Sequence, residues 1–379
     1  SSTIPVNIFF NLSIYLMCKI SNNKVTLYME EKTLPIVGIS CGDPNGIGIE
    51  VILKSLDDNR MLEFLTPIIF SNNNLIKDQI TAFNLQTQCN KISSNQNPLK
   101  GKINIINVWE ENFKTEFGKA TAKSGELSYL SLEATTNALI NSKIDVMVTA
   151  PINKKNIQNK DFEFPGHTNY LASKLKGESL MFMVNDGLRV GLLTDHIPIK
   201  DITSSISLEK ITKKIMIMER SLQIDFGIQR PKIAVLSINP HVGDGGVIGK
   251  EDEVVLTPAL LEISNKGTLL FGPFSADSFF GSRTHEKYDA ILAIYHDQGL
   301  IPFKTLSFGE GVNYTAGLNK IRTSPDHGTG YDIAGKNLAN PNSFKNAIFS
   351  AIEIFNNRKL NDKINENPLL ASKVKTFKK

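Results

Sequence analysis

Leu34-Pro35-Ile36-Val37-Gly38-Ile39-Ser40 is an apolar run that leads into the turn Gly42-Asp43-Pro44-Asn45-Gly46-Ile47-Gly48. A short run that is apolar at almost every position is typical of a strand buried on both faces of a parallel sheet. Similar runs follow at residues 67–71, 144–150, 233–238 and 290–295, and residues 124–142 and 208–222 have helical spacing. Residues 72–100 are polar and weakly patterned, which indicates a peripheral excursion. The alternation predicts an α/β fold with mainly parallel sheets.

The overall composition narrows the classes of function. A length of 379 residues allows two domains or one two-lobed unit. The net charge of +4 comes from scattered lysines, which argues against nucleic-acid binding and leaves small anionic substrates open. Cys18, Cys41 and Cys89 are far apart and form no CxxC pair, so neither a disulfide framework nor a thiolate zinc site is expected. A cytoplasmic location fits these features best.

The N-terminal stretch gives no targeting signal. Residues 8–17 are apolar, but the stretch is too short and too interrupted by polar residues to span a membrane. No basic residue precedes it and no small-residue cleavage site follows, so no signal peptide is predicted. Because Met29 stands shortly before the first clear strand pattern, we expect residues 1–28 to be an extension outside the functional fold.

Three histidines, His196, His241 and His296, each follow an apolar or β-branched run in unlike segments. Imidazoles at the ends of separate strands can converge on one divalent metal and leave a coordination position open for chemistry. Taken singly, each histidine could instead be a hydrogen-bonded turn residue. The three segments are far apart, so the spacing cannot establish a metal by itself, as a local HExxH motif could.

Cationic and amide side chains suggest a phosphate site. Lys304, Asn313 and Arg322 lie in a glycine-punctuated segment after His296, and Arg can bind phosphate through two parallel hydrogen bonds. The alternative is that all three are ordinary surface residues. His167 and Thr168 precede a helix-like segment and could add donors at a helix N-terminus, although Thr168 could equally be a cap.

The acidic residues and the cofactor site are less defined. Asp277 and Asp297 could orient a ligand, accept a proton or cap a turn, and the sequence leaves all three roles open. His285 is interpreted as a surface residue, and His327 as a secondary candidate in a turn. No GxGxxG or Walker motif is present, so no cofactor-binding residues can be assigned.

Taken together, these segments resemble the 4-hydroxythreonine-4-phosphate dehydrogenase family of vitamin B6 biosynthesis, from about residue 34 to about residue 335. Each motif alone is weak, whereas the ordered set is highly specific. The chain departs from the family pattern at Asn45 and Ile49, where Ala and Pro are common, and in the final turn at Pro325, Gly330 and Tyr331. The motifs are Gly42-Asp43-Pro44-Asn45-Gly46-Ile47-Gly48-Ile49-Glu50, Pro165-Gly166-His167-Thr168, Asn239-Pro240-His241, Tyr295-His296-Asp297-Gln298-Gly299 and Ile321-Arg322-Thr323-Ser324-Pro325-Asp326-His327-Gly328-Thr329.

The resemblance implies a homodimer of two-lobed subunits, similar in fold to isocitrate and isopropylmalate dehydrogenases, with the active site at the subunit interface. We expect one lobe to combine residues 29–150 with about 300–379. The other lobe, which carries the dimer interface, would span about 151–299. No membrane or nucleic-acid partner is expected.

The resemblance also assigns roles to the candidate residues. The resemblance does not identify the catalytic base; Asp277 and Lys304 are our candidate catalytic side chains, and no cofactor-binding residue is assigned. The implied ligands of one divalent ion per site, Zn, Mg or Co, are contributed from both subunits and are His196, His241 and His296. The implied substrate-binding residues are His167, Thr168, Lys304, Asn313 and Arg322.

The implied reaction is the oxidation of 4-phosphooxy-L-threonine by NAD or NADP to a β-keto acid, which loses carbon dioxide to give 3-amino-2-oxopropyl phosphate. A divalent ion suits this chemistry because it lowers the pKa of the substrate hydroxyl, and neutral imidazoles leave the ion its full charge. Three alternatives stay open. They are a dehydrogenase of a related phosphorylated sugar acid such as 4-phosphothreonate, a metal-dependent phosphohydrolase, and a binding module without turnover.

Overall fold

A computed structural model of the chain describes residues 14–21, 24–31 and 33–367. Of residues 14–21 and 24–31 it gives the backbone only. The strands are β1 (Ile14–Ser21), β2 (Lys24–Glu31), β3 (Ile36–Ser40), β4 (Thr66–Ser71), β5 (Cys89–Ile92), β6 (Ile103–Asn107), β7 (Val146–Thr149), β8 (Gly177–Asn185), β9 (Leu188–Leu192), β10 (Lys232–Leu236), β11 (Leu269–Phe274), β12 (Ala290–Ala293), β13 (Val312–Leu318) and β14 (Ile321–Pro325). The helices are α1 (Gly48–Leu56), α2 (Asn73–Ala82), α3 (Ala122–Ile140), α4 (His167–Lys174), α5 (Leu208–Ile224), α6 (Thr257–Ser264), α7 (Ala276–Gly281), α8 (His296–Ser307) and α9 (Asn342–Asn365).

Twelve strands form one continuous sheet in the order β11-β10-β12-β9-β8-β13-β14-β7-β3-β4-β6-β5. Neighbouring strands are parallel, except that β8 is antiparallel to β9 and β13, and β13 is antiparallel to β14. The α/β class with a mainly parallel sheet is therefore confirmed. A single sheet runs through both expected lobes, and the lobe boundaries at about 150 and 300 stay a prediction.

The predicted strands form because their apolar side chains are covered on both faces of the sheet. Val146 and Val148 of β7 belong to the same core cluster as buried residues of α1 and α9, whereas Met147 belongs to the cluster that includes α3. Since successive side chains of a strand point to opposite faces, helices cover both sides of β7. Residues 72–100 hold α2 and the edge strand β5, so they lie at the periphery as expected.

The N-terminal strands β1 and β2 pair antiparallel in a separate two-stranded sheet. Residues 1–13 lie outside the described residues, and the role of residues 1–28 stays a prediction. Among the described helices, none is both long enough and apolar enough to cross a bilayer.

Candidate active site

A cavity of about 240 Å³ lies beside the C-terminal ends of β7 and β14 and the loops that follow β9 and β12. Loops at the carboxyl ends of parallel strands are where α/β proteins bind ligands. Seven of the nine predicted site residues line this cavity: His167, Thr168, His196, His296, Lys304, Asn313 and Arg322.

Arg322 is the most deeply buried cation of the site, with a relative exposure of 2%. Its Nε and one terminal nitrogen donate hydrogen bonds to Thr149 Oγ1 at 3.0 and 2.6 Å, and the other terminal nitrogen donates to Thr315 Oγ1 at 3.2 Å. These acceptors are neutral hydroxyls, and Arg322 forms no ion pair within the described part of the chain. Burial lowers the pKa of Arg322 to about 9, so the guanidinium remains cationic at neutral pH. A buried cation without a counterion favours an anionic ligand.

The antiparallel pairing of β13 and β14 brings amide and hydroxyl groups beside Arg322. Asn313 of β13 pairs with Ser324 of β14, and alternate residues of a strand share a face. Asn313 and Thr315 therefore point to the same side as Ser324 and Arg322. The side-chain oxygen of Asn313 is buried and has no hydrogen-bond partner among the described residues, so it can accept a hydrogen bond from a ligand.

The N-terminus of α4 supplies His167 and Thr168. The Nε2 atom of His167 is buried, and no described residue forms a hydrogen bond with it. Burial, followed by the charges of Arg322 and Lys154, lowers the pKa of His167 well below its ordinary value, so the imidazole is neutral at physiological pH. Backbone N–H groups at a helix N-terminus favour anions. His167 and Thr168 thus face the cavity where a phosphate would be favoured.

Helix α8 contributes residues from one face. His296, Leu300 and Lys304 are spaced four apart, which places them on the same side of a helix, and all three line the cavity. Lys304 Nζ donates a hydrogen bond to the carbonyl oxygen of Asp326 at 2.7 Å. That contact holds the ammonium group at the cavity wall.

His196 and His296 face each other with ring centroids 5.5 Å apart. Nδ1 of His296 lies 2.7 Å from Asp297 Oδ1, and since a carboxylate only accepts, Nδ1 carries the proton and Nε2 is left for another partner. Carboxylates commonly orient metal-binding histidines in this way. Burial and then the Lys154 charge lower the pKa of His196, which favours the neutral form that binds metals. These two histidines fit a metal site.

His241 and Asp277 do not line the cavity. His241 lies in a turn of six consecutive residues with positive φ (52, 57, 78, 46, 63 and 90°), which runs from His241 to Gly246 after β10. Asp277 lies on α7, and its carboxylate accepts a hydrogen bond from Ser275 Oγ at 2.6 Å. That bond, with a smaller contribution from His241, lowers the pKa of Asp277. Within the described part of one chain, no three His, Cys, Asp or Glu side chains are grouped to hold a metal.

The left-handed turn of His241 is anchored by Asp252, which is almost fully buried. Its carboxylate accepts hydrogen bonds from the backbone N–H groups of Ile238 and Asn239 at 2.7 and 2.9 Å. Non-glycine residues rarely adopt positive φ, and such strain persists only where surrounding contacts impose it. The fold therefore holds His241 in a defined place, and His241 is not among the residues that line the cavity of its own chain.

The cavity also contains residues that the sequence did not single out, and one secondary candidate, His327. Lys154 follows β7, and its Nζ lies 3.5 Å from His196 Nε2. The only feature of the sequence that could have indicated Lys154 as a site residue is its position directly after an apolar run. Met181 and Met183 are on one face of β8, which alternation could have indicated. His327 lines the cavity as well, and burial lowers its pKa.

Comparison with known proteins identifies the family. Residues 63–351 match the family model of pyridoxal phosphate biosynthetic protein PdxA. A 4-hydroxythreonine-4-phosphate dehydrogenase from Bacteroides thetaiotaomicron is 45% identical over 343 residues, which cover 90% of this chain and 94% of the relative. A protein from Cutibacterium acnes, provisionally named D-threonate 4-phosphate dehydrogenase, is 35% identical and covers 84% of this chain and 93% of its own.

A solved structure agrees with these relatives. The 4-hydroxythreonine-4-phosphate dehydrogenase from Klebsiella pneumoniae superposes with a TM-score of 0.72 at 30% identity, covering 85% of this chain and 99% of that one. The similarity thus extends over nearly the whole length of both relatives and of the solved structure. The chain belongs to the 4-hydroxythreonine-4-phosphate dehydrogenase (PdxA) family of oxidoreductases in pyridoxal phosphate biosynthesis.

Proposed function

We propose that this protein oxidises 4-phosphooxy-L-threonine at C3 with NAD or NADP, and that the resulting β-keto acid loses carbon dioxide to give 3-amino-2-oxopropyl phosphate. The observation that carries this proposal is Arg322, a buried guanidinium that bonds only to neutral hydroxyls in the described part of the chain. A phosphate group supplies the missing negative charge and accepts several donors at once.

The phosphate end of the substrate is assigned to the residues around Arg322. His167 Nε2 has no hydrogen-bond partner among the described residues, and Asn313, Lys304 and Thr168 line the same cavity. Binding energy from the phosphate fixes the C3 hydroxyl for reaction, although the phosphate itself does not react. Cofactor-binding residues stay unassigned.

We assign His196 and His296 of one chain, together with His241, to a single divalent ion. When bound, Zn, Mg or Co would act as a Lewis acid on the substrate oxygen at C3. His196 is held neutral by burial, and Asp297 orients His296, so both side chains are prepared for a cation. His241 lies outside this cavity and beside Asp277, the candidate catalytic acid or base.

We further propose a homodimer in which His241 comes from the partner subunit. Large apolar side chains are exposed on the elements around the His241 turn and along the edge strand β11. The turn at residues 240–246 contacts residues 252–256 and β11, and α6 contacts both of these as well. An exposed apolar patch and an unpaired edge strand both indicate a protein interface. The exposed residues are Val247 (84%), Ile248 (46%), Val254 (61%), Leu261 (60%) and Phe271 (38%).

A second substrate, D-threonate 4-phosphate, is favoured by the Cutibacterium acnes relative. It shares the phosphate, the C3 hydroxyl and the carboxylate with 4-phosphooxy-L-threonine, and differs at C2, where a hydroxyl replaces the amine.

Family membership favours oxidation over the phosphohydrolase and non-catalytic alternatives. The cytoplasmic location stays a prediction, and Cys41 and Cys89 are both free thiols.

The deciding experiment is a turnover assay with purified protein, each phosphorylated substrate, NAD or NADP, and a series of divalent ions. We expect formation of the reduced cofactor and of carbon dioxide with 4-phosphooxy-L-threonine, dependent on added metal. Faster turnover of D-threonate 4-phosphate would reassign the substrate. Release of inorganic phosphate without cofactor reduction would contradict the proposal.

A further inference from the structure

We infer that Lys154 binds the substrate carboxylate, the group that is later lost as carbon dioxide. This inference rests on the proposed function, because it assigns the second anionic end of the same substrate. It makes Lys154 a substrate-binding residue that distinguishes the substrate from the decarboxylated product.

The position of Lys154 places a free cation beside the predicted reaction centre. Its Nζ lies 3.5 Å from Nε2 of His196, and its side chain crosses Gly166, with Cε 3.6 Å from where a Cβ on that glycine would stand. Lys154 lines the cavity and has no carboxylate partner among the described residues. The other lysine of the cavity, Lys304, already donates to the Asp326 carbonyl.

The charges of the cavity fit a ligand with two anionic ends. Arg322 is buried beside Thr149 and Thr315, whereas Lys154 is exposed and its Nζ lies 3.5 Å from His196 Nε2. The only carboxylate that lines the cavity within the described residues is that of Asp326, which accepts a hydrogen bond from Ser343 Oγ at 3.3 Å. With so little negative charge of its own, the cavity attracts an anionic group to each of these two cations.

The covalent structure of the substrate sets the distance between its groups. C3, the carbon to be oxidised, is assigned to the neighbourhood of His196 and His296. The phosphate is attached through C4 on one side, and the carboxylate is attached through C2 on the other. One carbon thus separates the reacting carbon from the carboxylate, and a cation in contact with His196 is within reach of it. Arg322 is then left for the phosphate.

The exposure of Lys154 suits a group that must release its partner. An ion pair that is open to water is weak, so Lys154 orients the carboxylate without strongly opposing its loss. When the bond between C1 and C2 breaks, the departing carbon dioxide is neutral and the ion pair no longer exists. The product is therefore bound by its phosphate end alone.

The test compares two ligands that differ in the carboxylate. We would measure the dissociation constants of 4-phosphooxy-L-threonine and of 3-amino-2-hydroxypropyl phosphate, without nicotinamide cofactor, for wild type, Lys154→Met and Lys154→Arg. Lys154→Met should weaken binding of the first ligand about three- to five-fold and leave the second unchanged, since one solvent-exposed ion pair is lost. Lys154→Arg should restore most of the affinity.

Lys155→Met is the matched control, because Lys155 is an exposed neighbour that does not line the cavity. It should leave both constants unchanged. If Lys154→Met weakened the binding of both ligands equally, Lys154 would contact the phosphate or maintain the shape of the cavity. If neither dissociation constant changed, Lys154 would not contact the ligand. Both outcomes overturn the inference. Wild-type turnover separates the two proposals: if wild type does not oxidise 4-phosphooxy-L-threonine, the proposed function itself fails.

Discussion

Arg322 and Thr149 are joined by two hydrogen bonds, since both Nε and a terminal nitrogen of the guanidinium donate to the same hydroxyl oxygen at 3.0 and 2.6 Å. The contact links neighbouring strands β14 and β7 beneath the cavity. It orients the guanidinium but does not neutralise its charge. The free protein therefore keeps a buried cation whose natural partner is the ligand.

This relationship predicts that Arg322→Met separates stability from binding. The variant removes an uncompensated buried charge, so its melting temperature in phosphate-free buffer should not fall by more than a few degrees. Inorganic phosphate should raise the melting temperature of the wild type and not that of the variant. The KM for the phosphorylated substrate should rise about ten-fold or more, because about 1.5–3 kcal/mol of charge-assisted hydrogen bonding is lost.

Lys320→Met is the control for this variant. Lys320 lies in the turn just before β14, and its Nζ donates to Ser142 Oγ at 2.9 Å on the surface. Removing its charge should change neither the phosphate effect nor the KM. A phosphate effect that persisted in Arg322→Met would move the phosphate site elsewhere.

The buried imidazole of His167 predicts a loss of stability in acid. The pKa of His167 in the folded protein lies well below its ordinary value of 6.5. As the pH falls below 6.5, His167 therefore takes up a proton in the unfolded chain but not in the folded protein, which favours unfolding. Stability is therefore present above the unfolded pKa and decreases toward lower pH. Between pH 7.5 and 5.5 this single group should cost about 1 kcal/mol.

Thermal unfolding of wild type and His167→Gln at both pH values would measure this effect. The glutamine variant cannot take up a proton, so its loss of stability between the two pH values should be smaller by about the same 1 kcal/mol. His196 and His327, whose pKa values are also lowered by burial, remain in both proteins and provide the common background. Identical losses in the two proteins would show that His167 is not a neutral buried group.

Much of the fold could be predicted because its strands are continuous apolar runs bounded by glycine-rich turns. The runs at residues 144–150 and 290–295 became β7 and β12, and both strands are buried throughout. Helix α2 and strand β5 were not predicted as elements, because their residues are largely polar. At the edge of the sheet few apolar side chains are needed, so the pattern is weak there.

The site could be predicted wherever a residue follows a strand or shares a helix face, as for His296 and Lys304. The place of His241 could not, because it depends on a left-handed turn that includes Val242 and Asp244, neither of which is a glycine. Buried contacts outside the turn, such as those of Asp252 with the backbone of Ile238 and Asn239, hold the turn in place. The local conformational preferences of the turn residues do not indicate these contacts.

Two glycines of this turn offer a matched pair of variants. A Cβ on Gly243 would lie 2.3 Å from the carbonyl oxygen of Gly249, whereas a Cβ on Gly245 would have no described atom within 4 Å. Both residues have positive φ (78 and 63°). Gly245→Ala should therefore cost about 1 kcal/mol of backbone strain, and Gly243→Ala should cost more because the turn must shift.

If His241 is a metal ligand, Gly243→Ala should also weaken metal binding more than Gly245→Ala does. Measured as the rise in melting temperature on adding a divalent ion, binding should be weakened strongly by Gly243→Ala and little by Gly245→Ala. The two variants also differ in stability, so the rise is compared with each variant's own metal-free value. Equal metal responses in both would indicate that the His241 turn does not contribute to the site.

The separation of His241 from the pair His196 and His296 makes a specific prediction about mixed dimers. Suppose that each site takes its pair from one subunit and its third histidine from the other. A dimer of one His196→Ala subunit and one His241→Ala subunit then has one complete site and one doubly damaged site. After random exchange half of the dimers are mixed, so about a quarter of wild-type activity should return. Mixing His196→Ala with His296→Ala is the control, because both changes damage the same pair and every dimer has two incomplete sites.

Two other outcomes would contradict this arrangement. Recovery of activity in the control but not in the first mixture would show that His196 and His296 of one site come from different subunits. Recovery in neither mixture, with subunit exchange verified by mass, would contradict a site shared between subunits.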